Sequence, residues 1–352
     1  MGYYVKNIVA RMPRFFPEDD FVFFLGDTAS ASFVPALPNA RSLVVPRTWK
    51  RDWLEDMVKL PLEIRKQRAH LFHAPVVLGP LRSINMPFFS PVPVVATIHD
   101  LHVETLDDPH MIAYRAEFRY RLQRSAARRA RIVTVSEATR IAIAGAGIAD
   151  AAAVRVIPHG IDLPPDGPDQ SIKENMVLFI GDAPHKNVLR AITVFSTVGE
   201  RVPGWRFVAV GNRARIRGLA GAYADEAEHS GLLTLAGEIG DAELSALYRR
   251  ASVLFMPSLS EGFGIPLLEA YAHGLCPVVS DREPMNGIGG DAAVYVDPED
   301  HHEMVSSLEG LLRNPALRTI VTEKGRERIK RFTWETHCAA LRTVYAEAVG
   351  HA

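Results

Sequence analysis

Short apolar runs alternate with amphipathic helical stretches along this sequence, and that alternation restricts the chain to one kind of sheet. In the second half, MVLFI (176–180), RFVAVG (206–211), LLTL (232–235), SVLFMP (252–257), CPVVS (276–280) and AVYV (293–296) read as strands. NVLRAITVFSTVGE (187–200) and DAELSALYRRA (241–251) lie between them, with apolar residues three and four apart. That is the period of a helix with one buried face. Strands joined by helices of this length form βαβ units around a parallel sheet. The first half repeats the theme with FVFFL (21–25), SLVV (42–45), LFHA (71–74), VVATIHD (94–100) and RIVTVS (131–136). Ser136 is placed to cap the helix that follows, and Asp241 to cap another.

At 352 residues the chain has room for two such domains. The stretch GIDLPPDGPDQSIKEN (160–175), dense in Pro, Gly and Asp, reads as the connection between them. The expected division is a first domain over 1–160, a linker over 161–175 and a second domain over 176–332. A last helix over 333–352 follows the second sheet and is free to return to the first domain. No apolar run approaches the roughly 18 residues of a membrane span. The first residues lack the apolar core of a secretory signal. The two cysteines, Cys276 and Cys338, have neither disulfide-framework nor metal-ligand spacing. The expected compartment is the cytoplasm. Charge is uneven: residues 1–160 hold 21 Lys and Arg against 15 Asp and Glu, and the rest hold 19 against 26. A basic front half suits an anionic ligand or surface.

The stretch SLSEGFGIPLLEA (258–270) marks a candidate site. It sits where a strand ends and a helix begins, the place where open parallel sheets bind ligands. Pro266 suits the first helical turn. The glycines allow close backbone approach, and amides at a helix start favour an anion. Glu261 in that loop suits a polyhydroxylated or cationic centre, and Glu269, one turn into the helix, suits the hydroxyl pair of a ribose. Together these describe a nucleotide that carries a sugar.

The sequence resembles the retaining glycosyltransferases of family 4. The resemblance rests on HAP (73–75), ATIHDL (96–101), RIVTVSEATR (131–140), VIPHGID (156–162), GDAPHKN (181–187), the block from GEIGDAELSALYRRA through EGFGIPLLEAYAHGLCPVVSD, and GGDAAVYVDPED (289–300). It implies the GT-B fold, with two Rossmann-like domains facing a cleft. The implied activity is transfer of a hexose, mannose favoured, from a nucleotide sugar to a glycan or polyprenyl-linked acceptor in cell-surface polysaccharide assembly.

Residue by residue, the resemblance puts Glu261 against the donor sugar and its anomeric region. It puts the amides of Gly262, Phe263 and Gly264 on sugar and diphosphate, Glu269 on the ribose, and Lys186, after the turn at Gly181, on the diphosphate. His99 is expected at the sugar and reacting centre, and Asp100 as an orienting residue of that loop. His73 is a candidate on the acceptor side, readable also as loop packing. His159, where relatives often have Asn, reads as backbone capping. Neither a cofactor nor a metal is implied, and no nucleic-acid partner.

Two departures stand out. Relatives often carry an arginine near the lysine of the phosphate loop, whereas this chain has Asp182 and His185 there. Relatives also open with an apolar strand and a glycine-rich turn, whereas this chain opens MGYYVKNIVARM. The expectation is that the first domain lacks its first strand, leaving an apolar groove. It follows that Met1 is expected to be internal to a longer reading frame, or the chain a truncated copy. An impaired homologue that binds donor without turnover is the alternative reading. The arginine-rich stretch YRAEFRYRLQRSAARRAR (114–131) is expected to lie on an anionic membrane surface as a peripheral contact.

Overall fold

The structure is a computed structural model that describes residues 2–45, 58–75, 87, 89–101, 130–163 and 173–350. The arginine-rich stretch falls almost wholly outside these residues, as does most of the expected linker. The chain divides into two compact units, one of Met1–Gly160 with Trp334–Ala352 and one of Ile161–Thr333.

The second unit is built on a six-stranded parallel sheet in the order β12-β11-β10-β7-β8-β9. Its strands are β7 (Glu174–Ile180), β8 (Arg206–Val210), β9 (Leu233–Gly237), β10 (Ala251–Met256), β11 (Cys276–Ser280) and β12 (Val294–Val296). All six strands read from the sequence are present. The inner strands are buried on both faces, as in β10 and β11. This is why they spell continuous apolar runs and not alternating ones. Helix Val188–Arg201 lays Val188, Ala191, Ile192, Phe195 and Val198 on the sheet. There Phe195 stacks on Phe207 with ring centroids 4.5 Å apart. Helix Asp241–Arg250 is capped one residue earlier than expected. Gly240 is its N-cap, and the Glu243 carboxylate accepts from the Gly240 amide, so Asp241 is its first residue.

The first unit holds two parallel sheets. One pairs β1 (Phe21–Leu25) with β2 (Ala40–Val44), and the other runs β3-β4-β5-β6. The latter strands are Phe72–Ala74, Val94–Ile98, Arg131–Thr134 and Val154–Val156. Strand β6, with Arg155 at its centre, was not foreseen. Ser136 caps its helix as expected, accepting from the Thr139 amide at 3.1 Å. Among the described residues no strand joins β1 to β3. A groove of about 1440 Å³ lies there, walled by β1, by Phe72 and His73 of β3, and by helices Tyr3–Phe15 and Trp334–Gly350.

The last helix, Trp334–Gly350, belongs to this unit. Trp334, Cys338, Leu341 and Val344 join Tyr4, Ile8, Met12, Val95 and Val133 in one apolar cluster. The Arg342 guanidinium donates to the Asp19 carboxylate at 2.7 Å. Both cysteines are buried free thiols, each pushed up to about 12 by desolvation.

Candidate functional site

The site residues of the second unit gather at the carboxyl ends of β7 and β10. Strand β7 ends at Ile180, and the chain turns through Gly181 and the single helical turn Pro184–Lys186. Strand β10 ends at Met256, and the loop 257–264 leads to helix Ile265–Ala272. Asn187 fixes the first turn to the second loop. It adopts a left-handed backbone (φ 61°) and is buried, and its side-chain amide donates to the carbonyls of Pro257 (3.1 Å) and Pro298 (2.7 Å). The Leu259 amide adds a bond to the His185 carbonyl at 2.8 Å.

Across this joint the Lys186 ammonium donates to Glu261 Oε1 at 2.6 Å. The two side chains are only 18% and 9% exposed, so this is a sheltered ion pair and not a surface one. A carboxylate and a cation 75 residues apart in sequence thus meet at one strand-end rim. Gly181 makes room for the pair: a Cβ there would lie 2.5 Å from Lys186 Cγ and 2.7 Å from its Cβ. Gly181→Ala is therefore expected to push Lys186 aside and to cost about 1–3 kcal/mol of stability, as overpacking does. Urea unfolding measures this, and an unchanged midpoint would refute the close-packing argument.

Gly264 is the N-cap of helix Ile265–Ala272 in a left-handed conformation (φ 99°), and Pro266 occupies the first turn as the sequence suggests. Phe263 is buried, its ring edge-on to Phe332 with centroids 6.3 Å apart. Gly262 enters the same loop, next to Glu261. Glu269 is half-buried, and burial pushes its carboxyl above the usual range. Its Oε2 accepts from the Tyr248 hydroxyl at 2.7 Å. Tyr248 was not singled out in the sequence; it looks like an ordinary apolar position on its helix.

The two departures in the phosphate loop have structural partners. Asp182 accepts from the Asn212 amide at 2.9 Å, and Arg215 approaches it at 4.0 Å. Asp182 thus ties the loop after β7 to the loop after β8. His185 is tied through its carbonyl.

The first-unit candidates lie in a buried cluster of rings. His99 Nε2 donates to the Pro75 carbonyl at 2.9 Å, and its ring meets Tyr4 edge-on (4.5 Å) and stacks on His159 (5.3 Å). Burial lowers its pKa, which makes the ring a neutral one with Nδ1 as acceptor. Asp100 follows it at the end of the strand. His73 has both ring nitrogens engaged, Nε2 with Thr97 Oγ1 at 2.8 Å and Nδ1 with the Tyr345 hydroxyl at 2.6 Å, and burial pushes it down to about 3. Such a ring packs and orients; it does not exchange protons near neutrality. His159 is buried within the ring cluster, and the adjoining Pro158 carbonyl accepts from His337 Nδ1 at 2.6 Å.

Comparison with known proteins supplies the family. The family model "Glycosyltransferase Family 4" matches residues 4–164, and "Glycosyl transferases group 1" matches residues 168–328. The chain is 31% identical over 206 residues to the phosphatidyl-myo-inositol mannosyltransferase of Mycolicibacterium smegmatis, covering 55% of this chain and 52% of that protein. It is 27% identical over 220 residues to the O-antigen chain mannosyltransferase RfbU of Salmonella typhimurium, covering 62% and 61%. The matched segments thus span roughly half to three-fifths of these relatives. Among solved structures, a glycosyltransferase from Rickettsia africae superposes with a TM-score of 0.75 at 13% identity, covering 100% of this chain and 96% of that one. WaaG, a glycosyltransferase involved in lipopolysaccharide biosynthesis, gives 0.67 at 15% identity, covering 97% and 94%. At such identities the likeness is one of fold, α/β with two Rossmann-like domains of the GT-B class. With two family models lying end to end over nearly all of it, the chain belongs to the glycosyltransferases of group 1 and family 4.

Proposed function

We propose that this protein is a retaining glycosyltransferase that moves a hexose, mannose favoured, from a nucleotide sugar to a glycan or lipid-linked acceptor in cell-surface polysaccharide assembly. The observation that carries the reading is the sheltered Lys186–Glu261 pair beside the start of helix Ile265–Ala272. One cation and the helix-start amides suit a diphosphate, and one carboxylate suits the sugar bound to it.

The chemistry follows from the leaving group. As the bond from the anomeric carbon to the diphosphate breaks, positive charge develops on the sugar ring and negative charge on the departing phosphate. Glu261 faces the first and Lys186 the second, both fixed before the reaction begins, which is how a preorganised site lowers a barrier. The amides of Gly262, Phe263 and Gly264 extend the phosphate cradle, Gly181 gives Lys186 its path, and Glu269 takes the ribose hydroxyls. His99, neutral and held through Nε2, offers Nδ1 as an acceptor to a sugar hydroxyl, with Asp100 orienting its loop. The acceptor hydroxyl attacks on the face the phosphate leaves and gives its proton to that phosphate. In this scheme Lys186 and the amides supply the phosphate charge neutralisation, without a cofactor or metal. A peripheral membrane contact through residues 114–131 belongs to the same proposal.

Asp182 favours a second reading, a homologue that holds donor without turning it over, because it adds negative charge to the phosphate loop. Incubation with labelled GDP-, UDP- and ADP-hexoses and a membrane extract separates the two: labelled glycan with free nucleoside diphosphate supports transfer, and binding without release supports the second reading. Lys186→Ala is expected to weaken nucleoside diphosphate binding by about 1.5–3 kcal/mol, the worth of a charge-assisted hydrogen bond. Unchanged affinity in a titration would remove Lys186 from the phosphate site.

A further inference from the structure

Glu269 is held by residues outside its own motif. Tyr248, fully buried on helix Asp241–Arg250, donates its hydroxyl to Glu269 Oε2 at 2.7 Å, with the Pro266 carbonyl 3.5 Å away. Its ring is stacked on His273, centroids 5.3 Å apart at 18°. His273 in turn donates from Nδ1 to the backbone carbonyl of Glu269 at 2.9 Å and places Nε2 3.3 Å from Ser245 Oγ. The Lys173 ammonium closes the arrangement by donating to the carbonyls of Tyr248 (3.3 Å), Arg249 (2.8 Å) and His273 (2.5 Å). The carboxyl ends of helices Asp241–Arg250 and Ile265–Ala272 are thereby joined at one cation, and Tyr248 has a fixed position relative to Glu269.

We propose that Tyr248 is a positioning residue for donor recognition: it locks one oxygen of Glu269 so that the other meets the ribose diol in a fixed orientation. The inference rests on the reading of this motif as a nucleotide-sugar site. A glutamate carboxylate otherwise turns freely, because its last torsion is broad and nearly two-fold. A diol needs the carboxylate in one plane, and a carboxylate pinned by a phenol is already in place. The Tyr248 hydrogen bond also favours the charged form of the group. Desolvation favours the protonated acid, whereas a hydrogen bond donated to the carboxylate favours the anion. Burial raises the Tyr248 phenol, which therefore keeps a proton to donate, and its hydrogen bond works against the upward push of burial on Glu269.

The test is a calorimetric titration of the parent protein with UDP, GDP and ADP, followed by the 2′-deoxy form of whichever binds. The parent is expected to prefer the ribose form by on the order of tenfold, about the worth of one hydrogen bond to a charged group. Tyr248→Phe, which removes one oxygen from a ring whose packing it keeps, is expected to erase most of that preference by weakening the ribose form and sparing the deoxy form. Glu269→Gln should do the same, and the double variant should be no worse than the poorer single one. Melting curves of the ligand-free proteins run alongside, because a purely structural role would lower the melt and weaken both nucleotides equally. Equal weakening, or a parent-like preference in Tyr248→Phe, overturns the proposal alone. A parent protein that binds none of the three diphosphates overturns the nucleotide-sugar reading and this inference with it.

Discussion

Replacing Glu261 by Gln is expected to lower turnover on the order of 10²–10³-fold, the usual cost of removing one preorganised charge from a transition state, while nucleoside diphosphate binds more tightly than to the parent. The two effects have opposite signs for one reason. In the ligand-free protein the Lys186 ammonium is committed to Glu261 at 2.6 Å. An arriving diphosphate must share that cation and also accept a carboxylate of like charge next to it. Glutamine keeps the shape and removes the charge, so Lys186 is released to the phosphate and the repulsion disappears. The ground state with bound diphosphate gains, and the positively charged transition state loses its counter-ion. Turnover and product affinity measured on the same preparation check this. A variant that loses both together would mean that Glu261 organises the loop instead of serving the sugar.

Sheltered ion pairs carry a further consequence. Breaking one by removing a partner leaves a charge without compensation, which in a closed interior costs about 3–5 kcal/mol. The pair here sits at a loop rim, 18% and 9% exposed, where water reaches the ammonium once its partner is gone. The melting temperature of Glu261→Gln is therefore expected to fall by much less than a core substitution would cause.

The parallel sheet of the second unit was legible because burial on both faces writes itself as unbroken apolar runs, as VLFM in β10 and CPVV in β11. Strand β6 was not, since VRV is three residues long with an exposed arginine at its centre and lies at the sheet edge. The motif residues were legible through their spacing, because a strand end, a glycine-bearing loop and a helix start are local events. Their partners were not. Lys186 meets Glu261 over 75 residues, Tyr248 meets Glu269 across two helices, and Asn187 reaches Pro298, each a product of chain return and not of local pattern. The histidines of the first unit are the extreme case: positions 99, 159 and 337 are far apart in sequence and share one set of rings with Tyr4, while His73 meets Tyr345.

Those histidines give the second large expectation, a loss of stability in the first unit as pH falls from 7 to 5. His337, buried, is pushed down to about 4 by desolvation, and His159 lies well below its usual value for the same reason. His99 and His73 shift the same way. In the folded unit His337 and His73 remain neutral well below pH 6, but in the unfolded chain each of the four rings takes a proton near 6.5. The unfolded state then binds more protons than the folded one, so stability is complete above about 6.5 and declines as pH drops toward the folded values. By pH 5 His337 alone accounts for about 2 kcal/mol, and His159 adds in the same direction. Protonation would also spoil specific contacts: His337 Nε2, now 3.4 Å from the Tyr4 hydroxyl, would stop accepting and bring a charge among Tyr4, Trp334 and His159. Asp100, whose charge favours protonated His99, is the carboxylate that softens the effect. Hydrogen exchange, corrected for its intrinsic pH dependence, reads the two units separately. Amides of β4 and β5 should lose at least about 2 kcal/mol of protection between pH 7 and pH 5, those of β7 and β10 should lose less, and His337→Gln should flatten the difference. If both sheets lose protection equally, or neither does, the neutral ring cluster is not what limits the first unit in acid.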